Sequence, residues 1–208
     1  MDDTAAAFER VWGRFEPALA VFSPLDHAAL RGPPVPGAVE RLRDRLGFAL
    51  HPQLAALWER HDGVRDSEEE AGVVGGCFLA GYRLHGIEDT TRGYASVEEQ
   101  AQDFEEVFVP EHYVDGFRED FHEGHIASWV PIARAIDGGE IYVDHHPGPL
   151  WGTVFECCYG ECTVWATDLA DLFDRLTDSL EHGTPFRGQR PLTWTDPDGN
   201  SSITWEYD

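Results

Sequence analysis

The run Trp129–Gly160, "WVPIARAIDGGEIYVDHHPGPLWGTVFECCYG", decides how the chain is read. Asp144, His145, His146, Cys157 and Cys158 crowd into it, as the residues of a catalytic or metal centre would. The turn chemistry points to a sheet instead. "WVPIARAI" and "EIYVD" are joined by "DGG", a hairpin signal because glycine supplies the positive φ of a tight turn. In "HPGP", Pro147 and Gly148 stand in the order favoured at the centre of a type II turn. "TVFECCY" reads as a third strand, "GE" as a turn and "CTVWA" as a fourth strand, so an antiparallel meander is expected.

Strand geometry then tests the reactive-looking residues. Side chains alternate along a strand, so Asp144 and His146 face one way and His145 the other. The triplet cannot converge on one ion while the strand continues. A metal site would have to borrow His122 and His125 from "FHEGH", whereas zinc ligands usually sit at tighter spacing. Cys157 and Cys158 diverge in the same way and read as buried small hydrophobes. No C-x-x-C pair links Cys77, Cys157, Cys158 and Cys162, so free thiols in a reducing cytosol are expected. No G-x-S-x-G, P-loop, G-x-G-x-x-G or H-E-x-x-H occurs. The expectation is a non-enzyme with no catalytic residue, no metal and no cofactor.

Outward from the meander, apolar residues recur at helical steps. Phe8, Val11, Trp12, Phe15, Leu19 and Phe22 predict an amphipathic helix that Pro17 bends or interrupts. "RGPPVPG" (31–37) is a linker. Val39, Leu42 and Leu46 mark a short helix, and Leu54, Leu57 and Trp58 another that opens at Pro52. "CFLAGYRLHGI" is extended, and "EDTTRGYASVEEQAQDFEEVF" is a helix with an acidic face. Thr167 is expected to cap a helix striped by Leu169, Leu172, Phe173, Leu176 and Leu180, with Gly183 ending it. The tail forms a last hairpin around Asp198-Gly199. The fold class is α+β: N-terminal helices, a central antiparallel meander, a long C-terminal helix packed on it and a terminal hairpin. The expected organisation is 1–35 as helix and Pro-rich linker, 36–185 as the main domain and 186–208 as hairpin or tail.

Thirty-nine acids face fifteen bases, every base is Arg, and the formal charge is −24. Phosphate contacts need cations, so nucleic acid and anionic membrane are poor partners for such a chain. A basic protein is a good one. No eighteen-residue apolar run and no basic, apolar leader is present, so a cytoplasmic protein is expected. Residues 98–123 hold ten acids against the single Arg118.

Several ordered pieces carry a resemblance: "LHPQLAALWERHDGV" (50–64), "FLAGYRLHGIED" (78–89), "SWVPIARAIDGGEIYVDHHPGPLWGTVFE" (128–156) and "TDLADLFDRLTDSLEHG" (167–183). Together they resemble the SMI1/KNR4 family, or SUKH superfamily, over roughly residues 36–183, with W-x-P-I-A followed by a Gly/Asp turn as the most specific part. The resemblance implies an α+β fold without known catalysis. Its bacterial members are immunity proteins that neutralise a cognate toxin, often a nuclease; its fungal members are regulatory scaffolds of cell-wall synthesis. The all-Arg base content suggests a bacterial genome rich in G and C and favours the immunity reading. The stand-alone scaffold is the alternative, and a metal-dependent hydrolase on His122, His125, Asp144 and His146 a third. The expected toxin-binding residues are Glu105, Glu106, Glu111, Tyr113, Asp115, Phe117, Glu119, Asp120, Phe121 and Glu123, with Asp137, Glu140 and Asp144 along the meander edge. Acids steer a cationic partner, and aromatics anchor it.

Overall fold

The computed structural model describes residues 3–65, 75–107, 123–158, 161–197 and 199–207. Four helices come first: α1 (Asp3–Phe22), α2 (Pro24–Ala29), α3 (Ala38–Leu46) and α4 (Pro52–Arg60). A short strand β1 (Arg83–Leu84) precedes α5 (Ile87–Val107), and a 3₁₀ turn (Glu123–Ser128) leads into the meander. Its strands are β2 (Trp129–Arg134), β3 (Glu140–Asp144), β4 (Val154–Cys158) and β5 (Glu161–Ala166). Helix α6 (Leu169–His182) and the hairpin β6 (Gln189–Thr195) and β7 (Ser201–Tyr207) close the chain. The fold is α+β, as the sequence pattern requires. The five-stranded sheet runs β1-β2-β3-β4-β5, antiparallel throughout, and β6-β7 form a separate pair.

The core forms where α1 crosses α6. Phe8, Trp12, Phe15 and Leu19 are fully buried at steps of four, three and four. Three of these rings converge on Phe173, at centroid distances of 5.9, 4.8 and 4.9 Å. Pro17 lies inside α1, yet the helix is one continuous element. An interior proline costs about 3 kcal/mol, and burial of this aromatic stripe offsets it. The cap of α6 also differs from expectation. Asp168, not Thr167, is the N-cap, accepting from the Asp171 amide at 2.8 Å. Asp171 reaches back to the Thr167 amide at 3.0 Å, so two amides of the helix start are satisfied reciprocally. Gly183 ends the helix with φ +66°.

Two long-range polar clamps tie these pieces together. Gln53, buried in α4, donates to Asp168 at 3.1 Å and accepts from the Ala170 amide at 3.0 Å. Asp26 of α2 is wholly buried. Its Oδ1 accepts from the Gly76 and Cys77 amides, at 2.5 and 3.1 Å. Its Oδ2 accepts from the Ile203 amide at 2.7 Å and from the Ser23 hydroxyl. One carboxylate thus joins the N-terminal helices, the 75–77 segment and the terminal hairpin.

The cysteines depart from the free-thiol expectation. Cys157 stands opposite Cys162 across β4–β5, and the two are joined by a disulfide, while Cys77 and Cys158 are free. Alternation does separate Cys157 from Cys158; the register supplies Cys157 with a different partner.

Candidate protein-binding surface

Asp144 ends β3 and His145 follows it, and both are buried, at 3% and 2% exposure. The Asp144 carboxylate accepts the His146 amide at 2.7 Å, a local turn that stops the strand before Pro147. Burial pushes this carboxyl above its ordinary value, against the hydrogen bond from His146. His145 Nδ1 lies 2.9 Å from the Val143 carbonyl. A carbonyl only accepts, so Nδ1 carries the proton. The ring packs on Phe48 and Trp151, at 5.4 and 5.5 Å. Burial holds its pKa down at about 4; the Val143 carbonyl opposes that shift and nearby His51 adds to it. Both residues are therefore packed trim of the sheet end, and Asp144 is buried away from any partner.

The other expected contact residues divide by position. Glu105 and Glu106 lie in the last turn of α5 and Glu123 opens the 3₁₀ turn; their side chains fall outside the described residues. Glu111, Tyr113, Asp115, Phe117, Glu119, Asp120 and Phe121 lie outside the described residues altogether, as does His122. Asp137 is exposed at the β2–β3 turn, where its carboxylate accepts the Gly139 amide at 3.3 Å. A backbone hydrogen bond closes that turn, Ala135 N–H donating to the Gly139 carbonyl at 2.8 Å, and a Cβ on Gly139 would meet the Tyr82 hydroxyl at 2.5 Å. Glu140 is half-buried and accepts from the Tyr142 hydroxyl at 2.6 Å. Asp137 and Glu140 thus lie close together at one end of the sheet, and Asp144 sits inside the other.

A second acidic surface was not among the expected residues. Asp171, Asp174, Asp178 and Glu181 recur along α6 at steps of three, four and three, opposite its buried stripe of Leu169, Leu172, Phe173, Leu176 and Leu180. Arg14 of α1 lies among them, bonded to Asp174 at 3.1 Å, Asp178 at 2.8 Å and Glu181 at 2.6 Å. Hydrogen bonds to Glu181 and Asp178 raise its guanidinium pKa further. Arg175 pairs with Asp171 at 2.8 Å. Other arginines are likewise engaged within the chain: Arg45 with Glu98, Arg60 with Glu9, Arg92 with Glu88, and Arg187 with Glu156. Thirty-nine acids outnumber fifteen bases, so pairing of these arginines still leaves the chain strongly negative. Among the described residues, the grouping able to hold an ion is Asp178, Glu181 and His182, not the Asp144 and His146 pair. Two of its three members already bind Arg14.

The spacing that exposes this stripe was readable in "TDLADLFDRLTDSLEH", because acids there interleave the apolar positions at helical period. No helix among the described residues is long and apolar enough to cross a membrane. The model of the SMI1 / KNR4 family (SUKH-1) matches residues 33–175, which include the whole meander and the first half of α6. No curated protein is similar enough to the chain to count as a match.

Proposed function

Because the chain belongs to the SMI1 / KNR4 family (SUKH-1), a family of generally non-catalytic protein-binding modules, we propose that it is an immunity protein that binds and neutralises a basic toxin domain. The observation that carries this reading is the acidic stripe of α6, set on a chain of formal charge −24. A toxin that grips phosphate, such as a nuclease, must be cationic where it does so. An acidic binder can occupy that surface and exclude the nucleic acid. Attraction between such surfaces raises association rates by about 10- to 10³-fold at low salt and fades as ions screen it. Asp137 and Glu140 lie on a hydrogen-bonded hairpin, and the α6 carboxylates lie on a helix packed through Phe173, so little ordering is left for binding to impose.

Co-expression with a candidate basic toxin domain is the direct test. Protection of the cells supports the reading, and equal killing with and without the protein removes it. Titrating salt against the affinity of the complex tests the electrostatic part. Binding should weaken steadily as ionic strength rises, and a flat profile contradicts an acidic docking face.

A further inference from the structure

We propose that Cys157 and Cys162 are a reversible oxidation site that exchanges with a small-molecule disulfide and clips the edge strand of the sheet. The register places the two residues directly opposite, with Cα atoms 4.2 Å apart and a sulfur–sulfur bond between them. Both are half-buried, and β5 is the outermost strand of the sheet, so a small thiol can reach the pair. The sequence separation is only five residues. Closing so short a loop removes little unfolded-chain entropy, which makes the bond a weak staple for the fold as a whole. Its state is then set by the thiol poise around it.

The third cysteine of this hairpin does not compete. Cys158 pairs in register with Glu161 and, as the next residue along β4, points to the opposite face from Cys157. Burial of its sulfur, with the nearby carboxylates of Asp137 and Glu156, keeps it protonated more firmly than an ordinary thiol. The attacking species in exchange is a thiolate, so Cys158 is held out of the reaction both by direction and by charge.

The step balances as ordinary exchange. One thiolate of the reduced pair attacks a disulfide RS–SR, forming a mixed disulfide and releasing RS⁻. The second thiolate attacks the protein sulfur of that mixed disulfide, closes the Cys157–Cys162 bond and releases the second RS⁻. The protein loses two electrons, the small disulfide gains them, and the two protons pass to the released thiolates. Reduction is the reverse. The bond lies beside Glu140, which pairs in register with Cys157, so the clip stiffens the sheet end that carries Asp137 and Glu140.

The full chain is equilibrated in mixtures of reduced and oxidised glutathione, acid-quenched, alkylated and mapped by mass spectrometry. The expected result is a two-electron transition confined to Cys157 and Cys162, with Cys77 and Cys158 alkylated throughout. Amide exchange across 155–166 should slow by about tenfold or more in the oxidised form, with α1 and α6 unchanged. Cys158→Ser should leave the transition intact, and Cys157→Ser should abolish it. A bond to Cys158, a pair that stays oxidised or stays reduced at every ratio, or identical exchange in both forms would each overturn the proposal. Because these readouts need no toxin partner, they stand apart from the toxin-binding test.

Discussion

Asp26 and the α6 stripe put the same functional group to opposite uses. Asp26 is fully buried and accepts four hydrogen bonds from three separate parts of the chain. Asp174, Asp178 and Glu181 stand at the surface and share one arginine between them. A buried carboxylate persists only when its lone pairs are filled, and then it fixes geometry. A surface carboxylate adds little to folding, because water and salt screen it, but its field extends to whatever approaches. In a chain with thirty-nine acids, the few buried ones hold the fold together and the exposed surplus is available to a partner.

Removing Asp26 should destabilise the protein most. Asp26→Ala leaves the Gly76, Cys77 and Ile203 amides without their acceptor, while the Ser23 hydroxyl keeps the Ser201 carbonyl at 3.3 Å. Buried orphaned groups cost about 1–3 kcal/mol each and do not add fully, so a loss of roughly 3–5 kcal/mol is expected in urea unfolding. Asp26→Asn should lose less, since its carbonyl still accepts two of the bonds. A loss equal to that of an ordinary surface substitution would show that the carboxylate is not the junction.

His145 gives the next largest effect, and its sign is fixed by burial. Its folded pKa of about 4 lies below the ordinary 6.5, so the folded protein resists the proton that the unfolded chain accepts. Stability from this group is complete above pH 6.5, falls as pH drops through that value and is spent below pH 4. The shift corresponds to about 3 kcal/mol. Asp144 works the other way at the acid end, because its raised carboxyl takes up a proton more readily when folded. Comparing stability at pH 7 and pH 5 in the wild type and in His145→Gln isolates the histidine. The variant should lose most of the slope, and an unchanged slope would assign the acid sensitivity to another group, such as half-buried His85.

What the residues alone made legible follows from period and turn chemistry. The meander, the α6 stripe and the terminal hairpin all carry local signals, and all are present. The disulfide is not legible from the turn signal, which sets the register two residues off. Reading "GE" as the turn pairs Cys158 with Thr163, whereas the strands pair Cys158 with Glu161 and Cys157 with Cys162. A two-residue slip keeps every side chain on its face but changes every cross-strand partner. Asp26 was invisible for a different reason: its partners lie 50, 51 and 177 residues away, and no local pattern encodes them. Asp144 was misplaced because strand alternation says which way a side chain points but not which face is covered. Of the expected contact residues, Asp137 is exposed and Glu140 half-buried at one sheet end, and the aromatic anchors fall outside the described residues.

The smallest expected effect on folding is the most informative about function. Asp174→Asn with Asp178→Asn removes two of the three carboxylates around Arg14 and leaves Glu181 to hold it. The buried face of α6 is untouched, so the urea midpoint should not move resolvably. Association with a basic toxin domain should nevertheless slow by roughly two- to tenfold at low salt, and the difference should vanish at high salt. Dissociation should change little, because charges at the rim steer a partner more than they retain it. If both rates stay at wild-type values, α6 is a solvated face and the acids that meet the toxin lie elsewhere, with Asp137 and Glu140 the next pair to neutralise. If the midpoint falls as it does for Asp26→Ala, the stripe belongs to the scaffold, and burial no longer separates the acids that fold the protein from those that serve it.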